Sequence, residues 1–139
     1  MKIFLLEDDP IYEDIIKGDL EQRGHKVDTW GCVDGADKKI MEGNYDLLVI
    51  DIMIPQFENE PGKEVRDGGI RVLESLSKQG YLLPVTLFCS VSGYEENEDR
   101  IRKLKLNNNI QDIKIYFRKP YLSDELLPTV QRLAKLLEQ

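Results

Sequence analysis

The sequence contains few of the residues that many catalytic and structural devices need. Its 139 residues include two cysteines, Cys32 and Cys89, which lie far apart and form no Cys-x-x-Cys pair. We therefore expect free thiols in a reducing compartment. His25 is the single histidine and opens a predicted strand, which disfavours a histidine-based catalytic triad. Glycine-rich phosphate-binding loops and internal repeats are also missing.

Long apolar runs are absent as well. No stretch approaches the roughly 20 residues that span a bilayer, and the apolar N-terminal run ends at Glu7, too early for a signal-peptide core. The formal net charge of −7, from 26 acidic and 19 basic residues, disfavours direct binding of this chain to nucleic acid. We expect a cytoplasmic protein that does not bind membranes.

Apolar runs and helical repeats alternate along the chain. The predicted strands lie at about 2–6, 25–30, 46–51, 84–89 and 113–118, and a segment of helical periodicity follows each one. Strict alternation with right-handed crossovers predicts a parallel sheet with helices on both faces. The expected fold class is α/β, a flavodoxin-like, doubly wound, three-layer α/β/α domain with five strands in the order 2-1-3-4-5.

Asp51 stands at the end of the most apolar strand. The preceding run, residues 47–50, is typical of a strand buried on both faces, and Pro55 follows four positions after Asp51. Ligands of open parallel sheets bind at this carboxyl end. Residues 56–67 then contain several acids and little that belongs in a core, which predicts a surface loop.

Polar residues end four of the five predicted strands: Glu7 and Asp8, Asp51, Cys89–Ser90, and Lys119. In a doubly wound sheet these strand ends converge on one rim. Three carboxylates there would repel one another unless a cation joined them, and Mg²⁺ (or Mn²⁺) suits such an oxygen-rich site. Metal and lysine would stabilise a phosphoryl-transfer transition state. Asp51 is then a candidate nucleophile that forms an aspartyl phosphate.

The same residues resemble the signature of the bacterial response-regulator receiver domain. The matching motifs are Leu5-Leu6-Glu7-Asp8-Asp9, Asp51-x-x-x-Pro55, Ser90 and Lys119-Pro120-Tyr121. The resemblance extends over essentially the whole chain, so we expect one receiver domain over residues 1–139, with 56–67 as a surface-loop insertion. It implies that Glu7, Asp8, Asp51 and the backbone carbonyl of Met53 bind the metal.

The resemblance also assigns the remaining roles. Asp51 would be the phosphoacceptor, Lys119 would contact the phosphoryl group, and Ser90 would supply the hydroxyl. Tyr116, three residues before the lysine, would reorient on activation together with Ser90. The implied donor is a sensor histidine kinase or a His-containing phosphotransfer protein.

The implied function is a phosphoacceptor signalling switch rather than an enzyme, with at most self-catalysed phosphorylation and dephosphorylation. Phosphorylation would alter the face formed by the fourth helix, fifth strand and fifth helix, where a downstream protein or a second copy would bind.

Three features depart from the family pattern. The loop at 56–67 is long, and residues 107–112 replace a Gly-Ala turn. The hydroxyl position is open between Cys89 and Ser90, and we prefer Ser90 because a thiol is a weak donor to an anion. Val91 would then narrow the entrance to the site.

Two other functions remain as alternatives. One is a receiver-like interaction module that is never phosphorylated, which the long loop and Val91 favour. The other is a phosphohydrolase with an aspartyl intermediate. That enzyme would need a second carboxylate two residues after Asp51 as general acid, and Met53 occupies that position.

Overall fold

The structure, a computed structural model, describes residues 1–60, 62–89, 93–107, 113–117 and 122–137, and at 107, 113–117, 122–125 and 137 the backbone only. Strands and helices alternate along it. The elements are β1 (Lys2–Leu6), α1 (Pro10–Gln22), β2 (Lys26–Trp30), α2 (Ala36–Gly43), β3 (Leu47–Ile50), β4 (Ile54–Pro55), β5 (Glu64–Val65), α3 (Gly68–Lys78), β6 (Val85–Cys89), α4 (Glu98–Asn107), β7 (Ile113–Phe117) and α5 (Leu122–Leu137).

Five strands form one parallel sheet in the order β2-β1-β3-β6-β7. This order matches the predicted 2-1-3-4-5 once the small strands β4 and β5 are set aside. The central strand β3 has all four residues buried, as expected for a strand covered on both faces. None of the described helices is both long and apolar enough to cross a membrane.

The core has two parts, one on each face of the sheet. Because successive strand side chains point to opposite faces, Phe4, Leu6, Leu48 and Ile50 pack with residues of α2, α3 and α4. Their neighbours in sequence pack with residues of α1 and α5 on the other face; these neighbours include Ile3, Leu5, Leu47 and Val49. Full burial of each large aliphatic side chain stabilises the fold by about 1.5–3 kcal/mol, so the sheet provides a rigid base for its loops.

The turn from β1 into α1 is fixed by a helix cap. Asp9 is the N-cap, and its Oδ1 accepts a hydrogen bond from the N–H of Ile11 at 2.9 Å. Pro10 occupies the first helical position, where its missing N–H has no cost. The cap directs the chain away from the sheet directly after Glu7 and Asp8.

The segment after β3 differs from the expected loop. Glu64–Val65 returns as a short strand that pairs antiparallel with Ile54–Pro55, so that Val65 lies opposite Ile54 and Glu64 opposite Pro55. The carbonyl of Pro55 also accepts the N–H of Val33 at 2.9 Å. The polar composition of 56–67 concealed this strand, because two paired residues leave no periodic pattern. We call residues 54–67 the inserted hairpin.

Candidate functional site

Three carboxylates meet at the C-terminal rim of the sheet. One oxygen each of Glu7, Asp8 and Asp51 lies within 4.8 Å of the others. Glu7 and Asp8 follow β1 and Asp51 follows β3, and these two strands are neighbours in the sheet. The N–H of Asp51 donates to the carbonyl of Leu6 at 2.9 Å, which extends the pairing of the two strands by one residue.

Two of these acids are almost completely buried. Glu7 is 1% exposed and Asp51 is 5% exposed, while Asp8 is half-buried. Oε2 of Glu7 accepts the backbone N–H groups of Asp8 at 3.0 Å and Asp9 at 3.3 Å. Oδ1 of Asp51 accepts the N–H of Met53 at 3.2 Å. These backbone donors orient the carboxylates and offset part of the cost of burying negative charge.

The electrostatics of the cluster favour a positive charge. Burial, repulsion from Glu7 and the proximity of Glu64 together raise the pKa of Asp8 to about 7, and burial is the largest of these causes. A bound divalent cation would oppose this shift, because it would attract the ionised carboxylates. The donor set consists of carboxylate oxygens, which are the ligands that Mg²⁺ prefers. The residues therefore fit a magnesium site.

Glycines at the start of α3 allow that helix to pack directly against the loop that carries Asp51. A Cβ on Gly69 would lie 2.4 Å from the carbonyl oxygen of Asp51, and one on Gly68 would lie 2.6 Å from Cγ1 of Ile54. The N–H of Gly69 donates to the carbonyl of Ile52 at 2.9 Å. Any larger residue at Gly69 would have to displace the loop that positions Asp51.

The structure describes only some of the other predicted site residues. Met53 is half-buried beside Asp51, and the role of its carbonyl stays a prediction. Ser90, Val91, Lys119 and residues 108–112 lie outside the described part of the chain, as does the side chain of Tyr116. Cys89 is 1% exposed, and its side chain packs with the core residues on the α1–α5 face. The preference for Ser90 over Cys89 as the hydroxyl residue stays a prediction.

Sequence reasoning did not find Glu64. Its side chain reaches the carboxyl of Asp8, although 56 positions separate the two residues in the chain. An acid within a polar loop carries no signal of its own. Only the pairing of β5 with β4 brings it to the rim.

The C-terminal end of the inserted hairpin is attached to α3 and α4. Arg66 forms an ion pair with Glu96, in a 3-10 turn that precedes α4. Arg100 of α4 donates to Asp67 at 2.7 Å and to Glu74 of α3 at 3.1 Å. Burial alone would raise the pKa of Asp67, but the hydrogen bonds from Arg100 and Arg71 hold it below its usual value.

The fold and the site together define a class: flavodoxin-like α/β domains with an acidic cation site at the C-terminal rim of the sheet. Comparison with known protein families identifies the family within this class. The family model of the response regulator receiver domain matches residues 3–131. The chain therefore belongs to the response regulator receiver domain family, and the predicted resemblance is confirmed.

Individual relatives agree with this assignment. The response regulator protein PmrA of Pseudomonas aeruginosa is 32% identical over 137 residues, which cover 97% of this chain and 53% of PmrA. The chain thus spans about half the length of the curated relatives it matches.

Solved structures match over nearly the whole chain. The Francisella response regulator 1452 receiver domain is 28% identical with a TM-score of 0.70, and the match covers 98% of each chain. The response regulator TrrA of Thermotoga maritima, solved in complex with Mg(2+)-BeF, is 24% identical with a TM-score of 0.62. The match covers 95% of this chain and 97% of the TrrA chain, and at this identity it supports the fold alone.

Proposed function

We propose that this receiver domain, extending over residues 1–139, is a phosphoacceptor switch in which Asp51 takes up a phosphoryl group in a Mg²⁺-dependent step. The observation that carries the proposal is the cluster of Glu7, Asp8 and Asp51, whose oxygens lie within 4.8 Å of one another. The family assignment supports it, since response regulators are the phosphoacceptors of two-component signalling.

In this proposal the groups at the rim bind the metal ion and orient Asp51. Glu7, Asp8, Asp51 and the carbonyl of Met53 would hold Mg²⁺, which supplies positive charge next to the transferring phosphoryl group. The N–H of Met53 holds Oδ1 of Asp51, and α3 packs behind the loop that carries it. These contacts restrict the carboxylate to one orientation before a phosphodonor arrives.

The transfer step is a displacement at phosphorus. A carboxylate oxygen of Asp51 forms the new P–O bond while the P–N bond of the donor phosphohistidine breaks, and the imidazole nitrogen keeps the electron pair. Lys119 and Ser90 would donate to the phosphoryl oxygens, Lys119 as a charged group and Ser90 through its hydroxyl. Both are assigned from the family motif.

The proposed partners follow from the phosphodonor chemistry and from the fold. A sensor histidine kinase or a His-containing phosphotransfer protein would supply the phosphoryl group. The added charge would draw Ser90 towards the phosphate and let Tyr116 turn inward, which changes the face formed by α4, β7 and α5. A downstream protein or a second copy of the chain would bind that face. No enzymatic turnover of an external substrate is part of the proposal.

Phosphorylation can be measured directly by intact-protein mass spectrometry. The protein is incubated with acetyl phosphate in the presence and absence of Mg²⁺. We expect an added mass of one phosphoryl group only with Mg²⁺ and complete loss of it in Asp51→Asn. Asp14→Asn, at an exposed position on α1, is the matched control and should be phosphorylated normally.

Two outcomes would contradict the proposal. Absence of any Mg²⁺-dependent adduct, together with no binding of beryllofluoride, would leave the interaction module as the better function. Sustained hydrolysis of an unrelated phosphoester that depends on Asp51 would instead indicate the phosphohydrolase.

A further inference from the structure

The inserted hairpin places one acidic side chain beside the carboxylate cluster. Strand β5 pairs Glu64 with Pro55, four residues after Asp51. The side chain of Glu64 extends to the carboxyl of Asp8. Glu64 itself is exposed to solvent. A carboxylate from outside the family motif therefore borders the metal site on its solvent side.

Glu64 is held by the pairing of its strand with β4. Val65 pairs with Ile54, which is completely buried, and the carbonyl of Pro55 accepts the N–H of Val33 at 2.9 Å. These contacts anchor both strands of the hairpin to the body of the domain. Glu64 is thus a residue of a paired strand rather than of a free loop tip, so its direction is set by the backbone.

The next two residues after Val65 add a second anchor. The side chain of Arg66 donates to Glu96 through Nε at 2.8 Å, and Asp67 accepts from Arg100 at 2.7 Å. The carbonyl of Arg66 also approaches Gly93, where an added Cβ would lie 3.2 Å from it. The chain on the C-terminal side of Glu64 is therefore fixed against α4 and the turn before it.

The position of Glu64 distinguishes it from the three clustered acids. The group whose oxygens approach one another within 4.8 Å consists of Glu7, Asp8 and Asp51, without Glu64. Glu64 contacts one member of the group, Asp8. Mg²⁺ keeps several of its water ligands when it binds to proteins. A carboxylate next to a ligand and open to solvent is well placed to accept hydrogen bonds from such waters.

We propose that Glu64 is an outer ligand of the magnesium site, which accepts a hydrogen bond from cation-bound water and increases the affinity of the site for Mg²⁺. The inference rests on the proposed function, because it assumes that the cluster holds this cation. Glu64 is then a positioning residue supplied by the inserted hairpin.

The charge balance gives the direction of the effect. Without a cation, the negative charge of Glu64 adds to the repulsion among the clustered carboxylates, and bound Mg²⁺ offsets this repulsion. With the cation bound, the fourth carboxylate is attracted to it. Affinity for hard cations rises with the number of charged ligands, and loss of an outer partner typically weakens metal binding about 10- to 100-fold. Solvent screening at Glu64 favours the lower limit.

The measurement is a calorimetric titration with Mg²⁺ alone at fixed pH and ionic strength. We expect the Kd of Glu64→Gln to be about 10-fold higher than that of the original protein. Glu58→Gln removes the same charge from the same hairpin at an exposed residue that does not act on Asp8, and it should leave the Kd unchanged. Far-ultraviolet circular dichroism checks that both variants fold.

A double-mutant cycle tests whether Glu64 acts through the same ion as Asp8. In an Asp8→Asn background, Glu64→Gln should change the Kd by much less than 10-fold, because a cation that has lost its Asp8 ligand no longer holds its water in front of Glu64. Equal effects in both backgrounds, or an unchanged or lower Kd in the single variant, would overturn the inference.

The two proposals fail in different ways. If the original protein binds no Mg²⁺, then the magnesium site and the role of Glu64 are both wrong. If it binds Mg²⁺ and Glu64→Gln binds equally well, only the role of Glu64 is wrong. If Asp51→Asn abolishes phosphorylation while Glu64→Gln only raises the Mg²⁺ concentration needed for it, both proposals hold.

Discussion

The carboxylate rim and the inserted hairpin meet at Asp8, but they are held in place by different means. The rim residues follow β1 and β3, two central strands whose side chains, with the exception of Lys2, are buried in the core. The hairpin has two paired strands of two residues each, fixed by backbone hydrogen bonds and by ion pairs at its C-terminal end. One region depends on the hydrophobic core and the other on local polar contacts.

This difference indicates how a site shared within a family can gain a feature that is particular to one protein. Residues at the ends of core strands can change position only if the sheet deforms, so they suit the chemistry itself. A short hairpin can be lengthened or shortened at little cost in free energy. It can therefore bring an additional group such as Glu64 to the rim without altering the sheet.

The largest effect is expected where α3 packs against the rim. Gly69→Ala would place a Cβ 2.4 Å from the carbonyl of Asp51, and we expect a loss of about 3 kcal/mol in the free energy of unfolding. Urea denaturation measures this loss. Gly18→Ala is the control: nothing lies within 4 Å of its Cβ position on α1, so it should stabilise the protein by about 0.5–1 kcal/mol. If both substitutions changed the free energy of unfolding by similarly small amounts, the loop that carries Asp51 would be able to move aside at little cost.

The next effect depends on pH and comes from Asp8. Its folded-state pKa of about 7 lies above the ordinary carboxyl value, so the folded protein binds the proton more tightly than the unfolded chain. The stability contributed by this proton is complete below about pH 4 and is lost as the pH rises towards 7. Without Mg²⁺, we expect Asp8→Asn to be more stable than the original protein at pH 8 and similar to it at pH 4, by thermal denaturation.

Magnesium should make the original protein more stable than Asp8→Asn at pH 8. Saturating Mg²⁺ binds only the folded state and raises the melting temperature of the original protein at pH 8, while Asp8→Asn should respond weakly. A stability difference between the two proteins that is independent of both pH and Mg²⁺ would contradict the assignment of Asp8 as a half-buried cation ligand.

A smaller effect is expected at the end of the hairpin. Arg100 bonds to both Asp67 and Glu74 and is partly shielded from solvent, so Arg100→Ala should cost about 1 kcal/mol in urea denaturation. Arg66→Ala removes a more exposed ion pair with Glu96 and should cost less. A larger loss for Arg66→Ala than for Arg100→Ala would show that the ion pair between Arg66 and Glu96 holds the hairpin more strongly than its contact with α4.

The arrangement of the sheet and the central acids could be predicted from the chain itself. Five alternating apolar runs and helical repeats specify a parallel sheet because each strand must be buried on both faces. Once Glu7, Asp8 and Asp51 are known to end neighbouring strands, their closeness follows from strand geometry. The cap at Asp9 was also predictable, because capping depends on adjacent residues. The assignments of Lys119, Ser90 and Tyr116 remain predictions from the family motif.

Only the tertiary structure decided what the inserted hairpin does. Glu64 and Asp8 are separated by 56 positions, and the pairing that brings them together involves two residues on each strand. The contact of Arg100 with Asp67 likewise joins an arginine and an acid 33 positions apart, with nothing to distinguish them from other charged surface residues. Periodicity reveals structure that repeats along the chain, whereas these contacts depend on where two distant segments pack in space.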